Sequence, residues 1–184
     1  MGIKLTRMLK ETDIEDTSRF YADSAKYVPY FQNMFGVHDC TEELYKNFRP
    51  DITAAIRSGG CLGMFEDGVM IAAVLAVDWY KYQQEYPTLF AHMFLPELET
   101  TKLMVEYCSE LSGPVMFVFA TLVRDNKRAQ GNMTKLLKKF AKQFGSQANI
   151  VSDCVYDYAS ATWLKNSFKV EHLSNDLKLA VKEV

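Results

Sequence analysis

The sequence is poor in the residues that build metal centres and disulfide scaffolds: 184 residues carry 4 cysteines and 3 histidines. Cys40, Cys61, Cys108 and Cys154 are scattered without a C-x-x-C spacing. That excludes a zinc-ribbon ligand set and a disulfide framework, and fits reduced thiols in a cytoplasmic compartment. His38, His92 and His172 stand far apart with no ligand rhythm, so no metal is expected. No apolar run approaches the ~18 residues of a membrane span. The start, "MGIKLTRMLKETDIED", turns acidic where a signal peptide needs an apolar core. A soluble, cytoplasmic protein away from membranes is therefore expected. A net charge of -2 supplies no global field for nucleic acid, which is not expected as a partner, and any anion site must be local. Repeats, linkers and low-complexity tracts are also missing, and the length suits a single domain over residues 1–184.

What is present is an ordinary globular mixture, 48% hydrophobic and 24% charged. Ile3 to Leu9 alternates as a half-buried strand does. From Asp13 the period lengthens, with Phe20, Ser24, Tyr27 and Phe31 near one helical face, and Pro29 is expected to end or kink that helix. Thr41 opens a second helix with Glu42 and Glu43 in its first turn and Leu44, Phe48, Ile52 and Ile56 spaced by four. Pro50 predicts a break within it. Cys61 to Phe65 and Val69 to Val77 read as a β-hairpin joined by Glu66, Asp67 and Gly68. Gly59, Gly60 and Gly63 precede no G-x-x-x-x-G-K-[ST] or G-x-G-x-x-G, so they read as turn residues.

Tyr80 to Ser112 is the least regular stretch, aromatic at first and helical later. It is where a substrate or partner is expected to be read, and it offers a surface for a homodimer. "PVMFVFATLV" from Pro114 is a continuous apolar run, expected as a central strand buried on both faces. Beyond it, Met133, Leu136, Leu137, Phe140, Ala141 and Phe144 form one stripe of a helix whose Lys135, Lys138, Lys139 and Lys142 face solvent. Gly145 is expected to close this helix as a C-terminal glycine. "NIVSDCVY" reads as a strand, "YASATWLKNSF" as a short helix and "LKLAVKEV" as a last strand. The alternation predicts an α/β fold with helices on the faces of a sheet.

The loop between the buried strand and the amphipathic helix, "VRDNKRAQGN", delivers the chain to a helix N-terminus, where unpaired N–H groups and the positive dipole end favour an anion. Arg128 supplies a planar charged fork for phosphate oxygens, and Gly131 lets backbone approach a ligand without a Cβ between them. These residues alone fit both a pyrophosphate cradle and a solvated basic loop.

"VRDNKRAQGNMTKLL" resembles the acetyl-CoA motif of the GNAT superfamily of N-acetyltransferases, R/Q-x-x-G-x-G/A after a strand ending in valine. Arg128, Ala129, Gln130, Gly131, Asn132 and Met133 occupy the six positions, and Val123 is the strand-end valine. Downstream, "WLKNSF" is similar to the family's late helix and "GF" pair, with Ser167 and Phe168 in its place. The order of elements is similar to the family's over nearly the whole chain, and "WLK" resembles phage-encoded members. The sequence departs from the pattern at three places: Met133 stands where a second small residue is usual, Trp163 where many members carry a tyrosine, and Ser167 where glycine is usual.

The resemblance implies a mixed, mostly antiparallel sheet with a splayed parallel pair, and acetyl-CoA as co-substrate with no metal. It implies that the backbone of Thr121, Leu122 and Val123 pairs with pantetheine and polarises the thioester carbonyl, that amides from Arg128 to Met133 hold the pyrophosphate, and that Trp163 packs beside the pantetheine. The acceptor is then a primary amine of a small molecule or protein. Asp78 is the first candidate for taking its proton; Tyr156, Tyr158 or Ser160 would serve the departing thiolate. A second reading is a catalytically inactive GNAT-fold binding or structural protein, for example a virion component. Transfer to a nucleic acid such as charged tRNA ranks third, because the Tyr80 to Ser112 stretch mixes Glu85, Glu97 and Glu99 with Lys81 and Lys102.

Overall fold

The computed structural model describes residues 3–26, 28–36, 38–128, 130–154 and 157–184, with residues 29, 30 and 157–159 described for their backbone alone. Among the described residues, seven strands form a sheet in the order β1-β2-β3-β4-β5-β7-β6. The chain divides into two compact units, Met1–Leu75 with Ala120–Leu136, and Ala76–Phe119 with Leu137–Val184.

In the first unit, β1 (Lys4–Met8) lies antiparallel to β2 (Leu62–Glu66), which in turn pairs with β3 (Val69–Asp78). Asp67 and Gly68, both at positive φ (50° and 83°), make the two-residue turn between them. This is the left-handed pair that matches strand twist in a tight hairpin. The register slips between Met64 and Phe65, leaving Ile71 as an extra residue of β3. Helices α1 (Ile14–Ala25) and α3 (Thr41–Arg57) pack on each other and bury Phe20, Tyr21, Ala22, Leu44, Ile52 and Ile56. Between them, α2 (Pro29–Phe35) begins on Pro29 and ends at the left-handed Gly36. The chain thus breaks before Pro29, and the proline starts a new helix, where its fixed φ and missing N–H cost nothing.

The break expected at Pro50 does not occur, because α3 runs through it. Pro50 is exposed while Leu44 before it and Ile52, Ala54, Ala55 and Ile56 after it are buried. Packing of both halves outweighs a local penalty of about 3 kcal/mol.

The second unit holds the start of β4 (Val115–Val123), β5 (Asn149–Asp153), β7 (Lys178–Lys182) and β6 (Lys169–His172). β5 is parallel to β4 and antiparallel to β7, and β6 is antiparallel to β7. β6 was not foreseen: "KVEH" is four residues long with half-buried alternation at best. The aromatic first part of the Tyr80 to Ser112 stretch is not irregular but forms two helices, α4 (Trp79–Glu85) and α5 (Pro87–Phe94), and the later part is helical as expected, in α6 (Glu99–Glu110). Their aromatic residues make a core. Trp79 meets Phe90, Phe94 and Phe117 at ring-centroid distances of 5.0, 5.0 and 4.9 Å, the range of favourable tilted and edge contacts. Pro87 at the head of α5 ends any continuation of α4.

β4 is central as expected, but only Val115 to Val118 is buried throughout; from Phe119 on, exposure rises. Helix α7 (Asn132–Phe144) buries Leu136, Leu137 and Phe140 completely and exposes Lys135, Lys138, Lys139 and Lys142, as its stripe requires. Gly145 follows its last residue, as expected. Its φ is not left-handed; a Cβ there would stand 2.5 Å from the Ala141 carbonyl oxygen. The last helix, α8 (Asp157–Leu164), precedes β6.

Candidate active site

The parallel register of β4 with β5 runs from Val115↔Asn149 to Val118↔Ser152, and the Ser152 hydroxyl donates to the Val118 carbonyl at 2.8 Å. β4 then continues to Val123, and its neighbour in the loop, Arg124, is fixed in the first unit. The Arg124 N–H donates to Ile71 O at 3.0 Å, its Nε to Met70 O at 2.6 Å, and its guanidinium lies 4.9 Å from the Phe20 ring. The bulged part of β3 therefore clamps the strand end from which the loop departs.

The loop closes on itself. A short 3-10 turn covers Asp125–Lys127. Lys127 N–H donates to Arg124 O (2.8 Å) and Arg128 N–H to Asp125 O (3.2 Å). The Gln130 side-chain amide donates to Asn126 O (3.2 Å), and that of Asn132 to Lys127 O (2.9 Å). Gly131 takes a φ of 69°, and a Cβ there would meet nothing within 4 Å. Its role is thus the left-handed turn, on a side open to a ligand. The first bond of α7 runs from Lys135 N–H to Gly131 O at 3.0 Å, so the N–H groups of Asn132, Met133 and Thr134 lie ahead of the helical ladder.

Charge around the loop is largely internal. Glu66 bonds Lys127 and also approaches Lys4 at 3.7 Å, and the Lys127 ammonium holds its carboxyl below the usual carboxylate range. Arg128 is different. Its side chain is 65% exposed and pairs at 2.9 Å with Asp125, 81% exposed. A surface pair of this kind contributes about 0–1 kcal/mol, so the guanidinium exchanges partners readily.

All the loop and strand residues singled out in the sequence, Thr121 to Met133, fall in the first unit. Thr121 is exposed, Leu122 buried, and Val123 and Met133 half-buried. Ala129 lies outside the described residues, as does Tyr156; Tyr158 is described for its backbone only. Asp78, Ser160 and Trp163 fall in the second unit. Asp78 caps α4, its Oδ1 accepting the Lys81 N–H at 3.0 Å. Ser160 is buried, with its hydroxyl in hydrogen-bonding reach of the Cys154 thiol, which burial nevertheless pushes up. Trp163 is buried and meets Phe168 edge to face at 4.6 Å. Ser167, standing at the glycine position of the resembled motif, adopts a φ of 65°, the backbone that favours glycine.

One residue escaped the sequence reading. Asp153 ends β5, one position past the last residue paired with β4. Its side chain reaches solvent, yet the protein around it dehydrates the carboxylate and pushes it up to about 6, against an opposing backbone hydrogen bond. A carboxylate in that range holds and releases a proton near neutral pH. Among the described residues no group of three or more His, Cys, Asp or Glu is placed to hold a metal ion, and no helix is long and apolar enough to cross a membrane.

No protein-family model matches the sequence, and no curated protein matches it by sequence. Solved structures do match. A polyamine N-acetyltransferase of Drosophila melanogaster, which forms N-acetylagmatine, superposes with a TM-score of 0.70 at 13% identity, over 99% of this chain and 100% of its own. The C-terminal condensation domain of Ebony, in complex with β-alanyl-dopamine, gives 0.69 at 9% identity over 100% of both chains. A PaiA N-acetyltransferase of Thermoplasma acidophilum, in complex with coenzyme A, gives 0.65 at 13% identity over 99% of each. With its strand order, its parallel β4–β5 pair and these likenesses, the chain has the fold of the GNAT acetyltransferases.

Proposed function

We propose that residues 1–184 form a single acyltransferase domain that moves an acetyl group from acetyl-CoA to a primary amine in a ternary complex. The observation that carries this reading is the loop after β4. Four successive carbonyls are turned into internal bonds there, a glycine opens one side, and a helix N-terminus follows. This is an anion cradle, and it stands where the resemblance to the GNAT motif puts the pyrophosphate. The likeness to proteins that act on agmatine and polyamines, or hold a dopamine derivative, supports an amine acceptor.

The residues divide the work. N–H groups from Gly131 to Met133 hold the diphosphate, with Arg128 leaving Asp125 to join them; the Arg128 N–H itself is taken by Asp125 O. The backbone of Thr121 to Val123 aligns the thioester and polarises its carbonyl. An ammonium must lose a proton before its nitrogen attacks, and Asp153, ionised above about 6, accepts it; Asp78, whose Oδ1 caps α4, is the second candidate. The nitrogen–carbon bond forms as the carbon–sulfur bond breaks, the thiolate takes a proton from Ser160 or Tyr156, and that hydroxyl regains one from the acylated nitrogen, leaving a neutral amide and a free thiol. Free cysteines buried in the fold suit a reducing cytoplasm.

A second reading, a GNAT-fold module that binds without catalysis, draws on Trp163. At the position where many members carry a tyrosine, it presents a buried ring packed on Phe168. Calorimetric titration of acetyl-CoA and desulfo-CoA, with Arg128→Glu as control, tests the cofactor. Micromolar binding by the wild type, weakened in the control, is expected, and no heat with the wild type overturns the reading. Release of free thiol with agmatine, polyamines and arylalkylamines then separates an enzyme from a module.

A further inference from the structure

An anion cradle has two requirements, and only one is usually described. It must present N–H groups, and it must also remove the carbonyl oxygens that alternate with them along the chain. Each bare carbonyl carries a partial negative charge comparable to the positive charge of the N–H, so a loop of free backbone repels phosphate about as much as it attracts it.

Here the carbonyls of residues 124 to 127 all accept hydrogen bonds from within the loop. The first two are satisfied by backbone, through Lys127 and Arg128 N–H. The last two are satisfied by side chains: Gln130 Nε2 on Asn126 O, and Asn132 Nδ2 on Lys127 O. Asn132 is 1% exposed, and its orientation is set from the far end. The Lys4 ammonium, a donor with no acceptor, binds Asn132 Oδ1 at 3.0 Å, so only the NH2 group can face the Lys127 carbonyl. Lys4 is in turn held beside Glu66, which also anchors the Lys127 side chain. The amide of Asn132 is thus aimed by an ion-pair network running from the sheet edge to the head of α7.

We infer that Gln130 and Asn132 are positioning residues for diphosphate recognition, their side-chain amides masking the Asn126 and Lys127 carbonyls so that the loop presents donors alone. The inference deepens the acetyl-CoA reading and rests on it. It assigns to two side chains, at positions where the resembled motif accepts any residue, a task distinct from the backbone contacts made at the same positions. A serine or alanine at 132 would leave the Lys127 carbonyl free to turn towards the ligand.

The test is calorimetry with desulfo-CoA and with adenosine 3′-phosphate 5′-diphosphate, which carries the diphosphate without the pantetheine arm. Gln130 is exposed, so Gln130→Ala should leave the melting temperature of the free protein where it is and weaken both ligands about 3- to 10-fold, the effect of unmasking one carbonyl. Asn132→Ala should weaken both by about 10- to 100-fold, and Asn132→Asp, which keeps the shape but offers no donor, should do at least as much. The penalty must be as large for the nucleotide as for desulfo-CoA. If both bind the variants as tightly as the wild type, or if the loss appears with desulfo-CoA alone, the inference falls while the acetyl-CoA reading stands. If the wild type binds neither ligand, that reading falls and takes the inference with it. Should Asn132→Ala fail to fold, Gln130→Ala decides.

Discussion

Two aspartates, one in each unit, live in opposite surroundings. Asp13 sits where β1 meets α1 and receives both arms of Arg7, at 2.7 and 2.8 Å, as well as the Lys10 N–H at 2.7 Å. The Arg7 guanidinium, itself 4.2 Å above the Phe65 ring, holds the Asp13 carboxyl below the usual carboxylate range. At Asp153 dehydration dominates instead, and its carboxyl is pushed up to about 6. The first arrangement commits a charge to structure. The second raises the proton affinity of a carboxylate at a strand end, so that ionising it opposes folding.

The largest effect should come from Asp153. Asp153→Asn is expected to lower kcat/KM for amine acetylation by about 10²- to 10⁴-fold, the usual worth of a positioned base, and to remove the rise of the wild-type profile through about pH 6. Because this carboxyl is raised in the folded protein, ionising it opposes folding. Its contribution to wild-type stability therefore falls as pH rises from the ordinary carboxylate range to about 6, and the asparagine variant should lack that component in pH-dependent denaturation. Unchanged kinetics in the variant would return the role to Asp78.

Asp13→Ala should cost about 2–3 kcal/mol in urea denaturation, since it strips a half-buried guanidinium of a two-pronged partner, and leave the pH profile of catalysis in place. Its sign is opposite. A lowered carboxyl contributes stability above its unfolded pKa, and that contribution is lost as pH falls through the folded value. Acid titration should thus weaken the wild type and spare the already weakened variant. The smallest effect belongs to Ser167, exposed at a φ of 65°: Ser167→Gly should gain about 0.5–1 kcal/mol, read as a melting-temperature rise of a few degrees.

How much of this was legible depended on whether the signal was local. The β4 run, the Leu136–Leu137–Phe140 stripe and the Asp67-Gly68 turn announce themselves, because burial and turn geometry act on adjacent residues. The helices α4 and α5 did not, since their aromatic residues answer to Phe117 on a distant strand rather than to a helical period. Pro50 obeys packing over propensity. In the loop, Gly131 and the helix start could be read, whereas the masking of Asn126 and Lys127 could not. The bond that orients Asn132 comes from Lys4, 128 positions earlier. Asp153 was invisible for a similar reason: its raised carboxyl comes from the dehydration that the folded protein imposes, not from its neighbours in the chain.

Neither compact unit is a contiguous stretch of sequence. The boundaries at residues 75/76, 119/120 and 136/137 fall inside β3, β4 and α7, so no single cut of the chain separates one unit from the other. During synthesis, at about 5–20 residues per second, the first unit must wait, its helices and hairpin already emerged, until the loop and the head of α7 arrive. The loop after β4 is therefore a late closing segment of folding, and substitutions in it should slow maturation in the cell before they alter the finished protein.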